Sequence, residues 1–169
     1  MSTKTGLAST DSLEKSRPKR GAARAQRPVS ANVKSFEVIR GGRLVLPDRV
    51  ESLELVRRGI PYKVVQLYAR HMDVPDTNVL EKIGVTGGTV DRRRQADVLK
   101  PDESDRFYRL ARVTELAERV LEDPAKARDW LKTRNRSLGG ATPFSLLDTD
   151  PGADLVEDAL NRIEFGVYG

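Results

Sequence analysis

From Leu46 to Ile163 the large apolar residues recur at intervals of three and four, the spacing that gathers them on one side of an α-helix. No segment alternates firmly enough to read as a strand, so the pattern predicts an all-α fold. Val50, Leu53, Val56 and Ile60 give a first apolar face that starts near Asp48 and stops at Gly59; Val64, Val65, Tyr68 and Met72 give a second after Pro61. A third, short helix is expected to take Asp76 or Thr77 as its cap, to bury Val79, Leu80 and Ile83, and to end at Gly84, where glycine tolerates the left-handed stop conformation. The next is expected to open at Thr86, with its hydroxyl capping free amides, and to run to Ala96. A longer helix follows from about Asp102 to Glu122, with Phe107, Leu110, Ala111, Val113, Ala117, Val120 and Leu121 facing the core.

Three later helices are announced by a capping side chain directly before a proline: Asp123-Pro124, Thr142-Pro143 and Asp150-Pro151. Proline fits the first helical turn because its missing amide would have no partner there. The first presents Ala127, Trp130 and Leu131, with Trp130 expected in the core. The second is brief. The third runs to Phe165 and stops at Gly166, with Leu155, Val156, Ala159, Leu160 and Ile163 as core or as a dimer seam. Gly139 and Gly140 read as positions that permit backbone angles closed to other residues.

Charge divides the 169-residue chain further. Residues 1–43 carry ten Lys or Arg against three acids, a balance of +7, and few large apolar residues, so this basic tail is expected to be disordered. It is either a solvated tail or an arm that meets phosphates. Residues 137–169 carry one base, Arg162, against six acids, a balance of −5. The expected division is therefore a tail over 1–43, a helical bundle over 44–122 and a small helical domain over 123–169. No apolar run suits a bilayer crossing and the polar start lacks a signal-peptide centre, so a cytoplasmic protein without membrane contact is expected. With no Cys, disulfide and thiolate chemistry are excluded, and one His cannot build a His-rich metal site. No metal or cofactor is expected, and His71 is placed at a helix surface or helix end without a catalytic part.

The short helix over Val79 to Ile83, the turn at Gly84-Val85 and the helix from Thr86 have the length and punctuation of a helix-turn-helix. In that motif the second helix enters the major groove and its first residues reach base edges. Thr86, Gly88, Thr89, Arg92 and Arg93 are the candidates for bases, and Lys82, Arg94 and Lys100 for phosphates. The other reading of Arg92, Arg93 and Arg94 is a solvated face paired with nearby acids such as Asp91 and Asp97.

The run Arg136-Ser137-Leu138-Gly139-Gly140-Ala141-Thr142-Pro143-Phe144-Ser145-Leu146-Leu147-Asp148-Thr149, then Gly152-Ala153, then Asn161-Arg162-Ile163-Glu164-Phe165-Gly166-Val167-Tyr168-Gly169, resembles the toxin-binding domain of the MbcA/ParS/Xre antitoxins. The helix-turn-helix upstream resembles the Xre-like half of the same family; residues 1–43 lie outside the resemblance. The resemblance implies a type II toxin–antitoxin pair in which a RES-domain toxin destroys cellular NAD and the antitoxin holds it inactive. It also implies a homodimer that represses its own promoter DNA. On this footing the toxin surface is expected at Asp154, Asp158, Asn161, Arg162, Glu164, Gly166, Val167, Tyr168 and Gly169. Glu164, Tyr168 and the terminal carboxylate would reach toward a cleft that binds an anionic dinucleotide.

Against this stand two other classes. A stand-alone helix-turn-helix regulator explains residues 46–122 and leaves the acidic, patterned end without a purpose. An enzyme is the weakest reading, because the carboxylates fall at caps and on helix faces and no phosphate-cradling glycine loop precedes a Lys and Ser/Thr.

Overall fold

A computed structural model describes Met1 and residues 39–166, and the described stretch from residue 39 belongs to one compact unit. Its main secondary structure is eight helices: α1 (Arg49–Arg58), α2 (Tyr62–His71), α3 (Asp76–Lys82), α4 (Gly88–Ala96), α5 (Pro101–Val120), α6 (Pro124–Lys132), α7 (Pro143–Leu146) and α8 (Asp150–Glu164). A single 3-10 turn at Arg136–Leu138 lies between α6 and α7. The all-α expectation holds for the bulk of the fold.

Residues 39–43, placed in the tail by composition, belong instead to a hairpin. Strands β1 (Ile39–Arg40) and β2 (Arg43–Leu44) pair antiparallel around Gly41 and Gly42, both at positive φ. Two-residue strands have too little length to show a period, and the twin glycines that a tight hairpin turn needs were the available signal. Residues 2–38 of the basic tail lie outside the described residues.

Local chemistry explains most helix ends. The Asp48 carboxylate accepts from the amides of Val50 (2.8 Å) and Glu51 (2.9 Å), Asp123 from Ala125 (2.7 Å) and Lys126 (3.2 Å), and the Thr142 hydroxyl from Ser145 (3.2 Å). The amides around Asp123, Lys126 first, hold its carboxyl below the ordinary value. Three starts differ from expectation. Pro75, not Asp76 or Thr77, precedes α3, because the Asp76 carboxylate is taken by Tyr62 and Arg94. Gly87 precedes α4 without a side-chain cap, so the Thr86 hydroxyl does not serve there. Thr149 caps α8 by accepting from the Gly152 amide (3.2 Å), while Asp150 pairs with Arg109 of α5.

One core runs through these elements. Val64, Val65 and Tyr68 of α2 with Met72 directly after it, Val79 and Leu80 of α3, Ala127 and Leu131 of α6, and Val156 and Leu160 of α8 are all fully buried around α5. Trp130 packs against this core, as expected. The expected faces of α1 and α8 are turned differently: Val50 is 71% exposed, Leu53 48% and Leu155 54%. In α1 it is Ser52, with Leu55 against the core, that points inward.

Buried polar groups decide how the other elements meet α5. Along it, Ser104 Oγ accepts from the Ile60 amide (2.9 Å), Thr114 and the Tyr68 hydroxyl bond at 2.7 Å, and Glu118 accepts from the Leu44 amide (2.7 Å) while pairing with His71. His71 is thus at a helix end, as expected, but its ring is buried. Burial pushes the Tyr68 hydroxyl up from its ordinary value, and its ring meets Phe107 edge-on at 5.4 Å. Arg43 adds bonds to the carbonyls of Glu118 and Glu122, and the Leu46 amide donates to Glu115 (2.9 Å). The hairpin is therefore strapped along the second half of α5.

Gly59 joins α1 to α2 at φ +94, where a Cβ would stand 2.3 Å from the Leu99 carbonyl oxygen. That closeness lets the Leu99 amide donate to Ile60 (2.9 Å) and the Tyr62 amide to Asp97 (3.0 Å), docking the chain after α4. Gly59→Ala is expected to cost about 1–3 kcal/mol, read from urea unfolding; an unchanged midpoint would show that this close approach does not hold the fold.

Candidate functional site

The motif formed by α3, the turn over residues 83–87 and α4 carries the cations singled out from the sequence except Lys100. α3 is anchored by Val79, Leu80 and Ile83, and Gly84 turns the chain at φ +79 while Arg106 donates to the Ile83 carbonyl (3.0 Å). α4 has no buried residue, with only Val90 packed partly against the core. A helix with so little apolar contact has to be held by other means.

Two arginines hold it. Arg93 forms a two-pronged pair with Glu103 of α5, Nε to Oε2 at 2.6 Å and Nη2 to Oε1 at 2.9 Å, and its side chain is 11% exposed. Glu103 also accepts from the Lys100 amide (2.9 Å). Arg94 donates through Nε to the Tyr62 hydroxyl (3.1 Å) and reaches Asp76 at 3.3 Å. The Tyr62 hydroxyl in turn donates to Asp76 (2.5 Å), so α2, α3 and α4 meet in one polar cluster. That hydroxyl, and then the Arg94 charge, hold the Asp76 carboxyl below its ordinary value, while burial first and Asp76 second push Tyr62 up. A depressed folded value means that this contribution to stability is present above the unfolded carboxyl value of about 4 and is lost as pH falls through the folded one.

The structure thus sorts the expected contact residues. Thr86, Gly88 and Arg92 are exposed together on the tip and outer face of α4, with Thr89 half-buried beside them. Nothing lies within 4 Å of a Cβ built on Gly87 or Gly88, so internal packing does not demand their small size. Arg93 is an internal anchor, Arg94 is shared between anchor and surface, and Lys82 donates to the Ser145 carbonyl of α7 (3.2 Å). Lys100 is exposed at the start of α5. The holding partners Tyr62, Asp76 and Glu103 escaped sequence reasoning; Glu103 lies ten residues from Arg93, beyond any helical spacing.

The second surface lies on α8. Arg109–Asp150 and Arg112–Glu157 (2.6 Å) tie it to α5, and Gly152 approaches α7 so closely that a Cβ would meet the Leu146 carbonyl oxygen at 2.0 Å. Asp154, Asp158, Asn161, Arg162 and Glu164 are all exposed, followed by exposed Phe165 and Gly166. Val167, Tyr168 and Gly169 lie outside the described residues. Among the described residues no helix is long and apolar enough to cross a membrane, and no group of three or more His, Asp or Glu could hold a metal ion.

Two family models match the chain: the antitoxin Xre-like helix-turn-helix domain over residues 51–112, and the antitoxin Xre/MbcA/ParS C-terminal toxin-binding domain over residues 116–166. The antitoxin Xre of Yersinia enterocolitica is 31% identical over 118 residues, covering 69% of this chain and 80% of that protein. The antitoxin Xre of Pseudomonas putida is 41% identical over 71 residues, 42% of this chain and 44% of that one. A Sphingobium protein named Prs ADP-ribosylating antitoxin is 22% identical over 129 residues, 70% and 81% of the two chains. The first match ends and the second begins inside α5.

Arg92 and Arg93, adjacent in sequence, are expected to behave oppositely when truncated. Arg93→Ala leaves nearly buried Glu103 without its cation and should lower stability by on the order of 1–3 kcal/mol, whereas Arg92→Ala should stay within about 0.5 kcal/mol of the parent. Chemical denaturation of both variants checks the assignment; equal losses would contradict it.

Proposed function

The chain belongs to the Xre family of antitoxins, and from that premise we propose that it neutralises a RES-domain toxin that degrades NAD. In this reading the protein works in the cytoplasm, without catalysis of its own, and its acidic end covers the toxin's active site. What carries the reading is the exposed acidic outer face of α8 within the segment matched by the toxin-binding model. A cleft built to bind an anionic dinucleotide presents cations, and exposed carboxylates are attracted to it. Asp154, Asn161, Glu164 and the peptide from Gly166 through Gly169 form the toxin contact. Asp158 and Arg162, on the side of α8 shared with Leu155 and Phe165, serve a second contact.

The same protein, as a homodimer, represses its own promoter through α4. Support comes from the exposed tip of α4 and from the anchoring of Arg93 and Arg94, which fixes the angle at which Thr86, Gly88, Thr89 and Arg92 are presented. Two copies related by a twofold axis read two half-sites of DNA. A regulator with no toxin partner remains the second reading, since the helix-turn-helix match stands by itself over residues 51–112.

Co-expression with a RES-domain toxin encoded beside it tests both readings. Cells making the toxin alone should stop growing and lose NAD; the full chain should restore both, and a chain lacking residues 166–169 should restore them poorly. NAD that stays low with the full chain would reject neutralisation. NAD that never falls, with ADP-ribosylated protein appearing instead, would reassign the partner to the chemistry named for the Sphingobium relative. Arg92→Ala should weaken promoter binding and leave NAD rescue intact.

A further inference from the structure

Leu155 on α8 and Phe165, directly after its last residue Glu164, are large apolar side chains, 54% and 75% exposed, while the opposite side of the helix, Ala153, Val156 and Leu160, is buried in the core. Between them stand Asp158 and Arg162, both exposed, and among the described residues neither forms an ion pair within the chain. The four positions follow a three-four-three spacing, which lines them into one narrow stripe along about three turns of helix. An acid and a base stand at the centre of the stripe and an apolar group at each end.

That order reads as its own complement when reversed. If a second α8 lies antiparallel across the first, with a twofold axis passing near Leu160, Leu155 meets the partner copy's equivalent of Phe165. Asp158 then meets the equivalent of Arg162, and both contacts occur twice by symmetry. Such an isologous interface needs a patch that complements itself, and this stripe does. The exposed pair Val50 and Leu53 on α1 has no comparable order.

We propose that the stripe Leu155, Asp158, Arg162 and Phe165 is the surface through which two copies of this chain pair, with α8 antiparallel to α8. The inference rests on the reading of the protein as a homodimer and assigns its seam. One helix stripe is small beside the ~1,200 Å² at which standard interfaces begin, so the association is of the weak, transient class without DNA or toxin.

Charge exchange on the full chain tests it by sedimentation equilibrium. Asp158→Arg sets like charges against each other at both contacts, and so does Arg162→Asp; each alone should weaken self-association about tenfold or more, because two attractions become two repulsions. An equimolar mixture of the two variants should recover association as a heterodimer, since each then carries the charge the other lacks. The chain carrying both exchanges should recover it as a homodimer. At a concentration where the parent is monomeric the variants should melt within a few degrees of it, Arg162→Asp lowest because it sets an acid in the last turn of α8. Dimers that persist in both single variants but vanish in Leu53→Glu would place the seam on α1, overturning the proposal and leaving the dimer. Loss of toxin inhibition in the single variants, with association unchanged, would give the stripe to the toxin and overturn it too. A parent chain that is monomeric at every concentration would reject the dimer itself.

Discussion

The buried polar face of α5 is the constraint on which the remaining arrangement depends. Among the described residues, four of the five buried polar or charged ones, Glu103, Ser104, Thr114 and Glu118, lie on this helix. Each receives a different part of the chain: Arg93 of α4, the Ile60 amide between α1 and α2, the Tyr68 hydroxyl, and His71 together with the hairpin amide of Leu44. Apolar burial is non-directional and would let these elements slide along α5. A buried carboxylate without its partners costs several kcal/mol, so Glu103 and Glu118 permit one placement of α4 and one of the hairpin.

This frame explains why two separately matched segments make one unit. The helix-turn-helix match and the toxin-binding match meet inside α5, and the apolar core continues across it from Val64 to Leu160. Lys82 reaches α7 and Arg109 reaches α8, so polar ties cross between the two segments as well. The face read as meeting DNA and the face read as meeting the toxin are consequently carried by one rigid spine.

Local chemistry was legible and distant chemistry was not. Asp48, Asp123 and Thr142 sit where a capping side chain has an amide two or three residues ahead and no stronger competitor. Asp76 and Asp150 have the same local credentials, but Tyr62 and Arg94 claim the first and Arg109 the second. Periodicity predicted that α1 and α8 are amphipathic, yet Val50 and Leu53 on α1 and Leu155 on α8 face outward, because the apolar face of each helix is wider than the part the core takes. The basic triplet was visible as a charge run; that Arg93 turns inward depends on Glu103, which only the folded chain brings near.

The central claim is that the segments matched as helix-turn-helix and as toxin-binding domain form a single cooperative structure around α5. Differential scanning calorimetry of the isolated chain addresses it directly. The account predicts one transition whose calorimetric and van't Hoff enthalpies agree, as all-or-none unfolding requires. Two resolved transitions, or a calorimetric enthalpy about twice the van't Hoff value, would show that the two segments unfold separately and would contradict it.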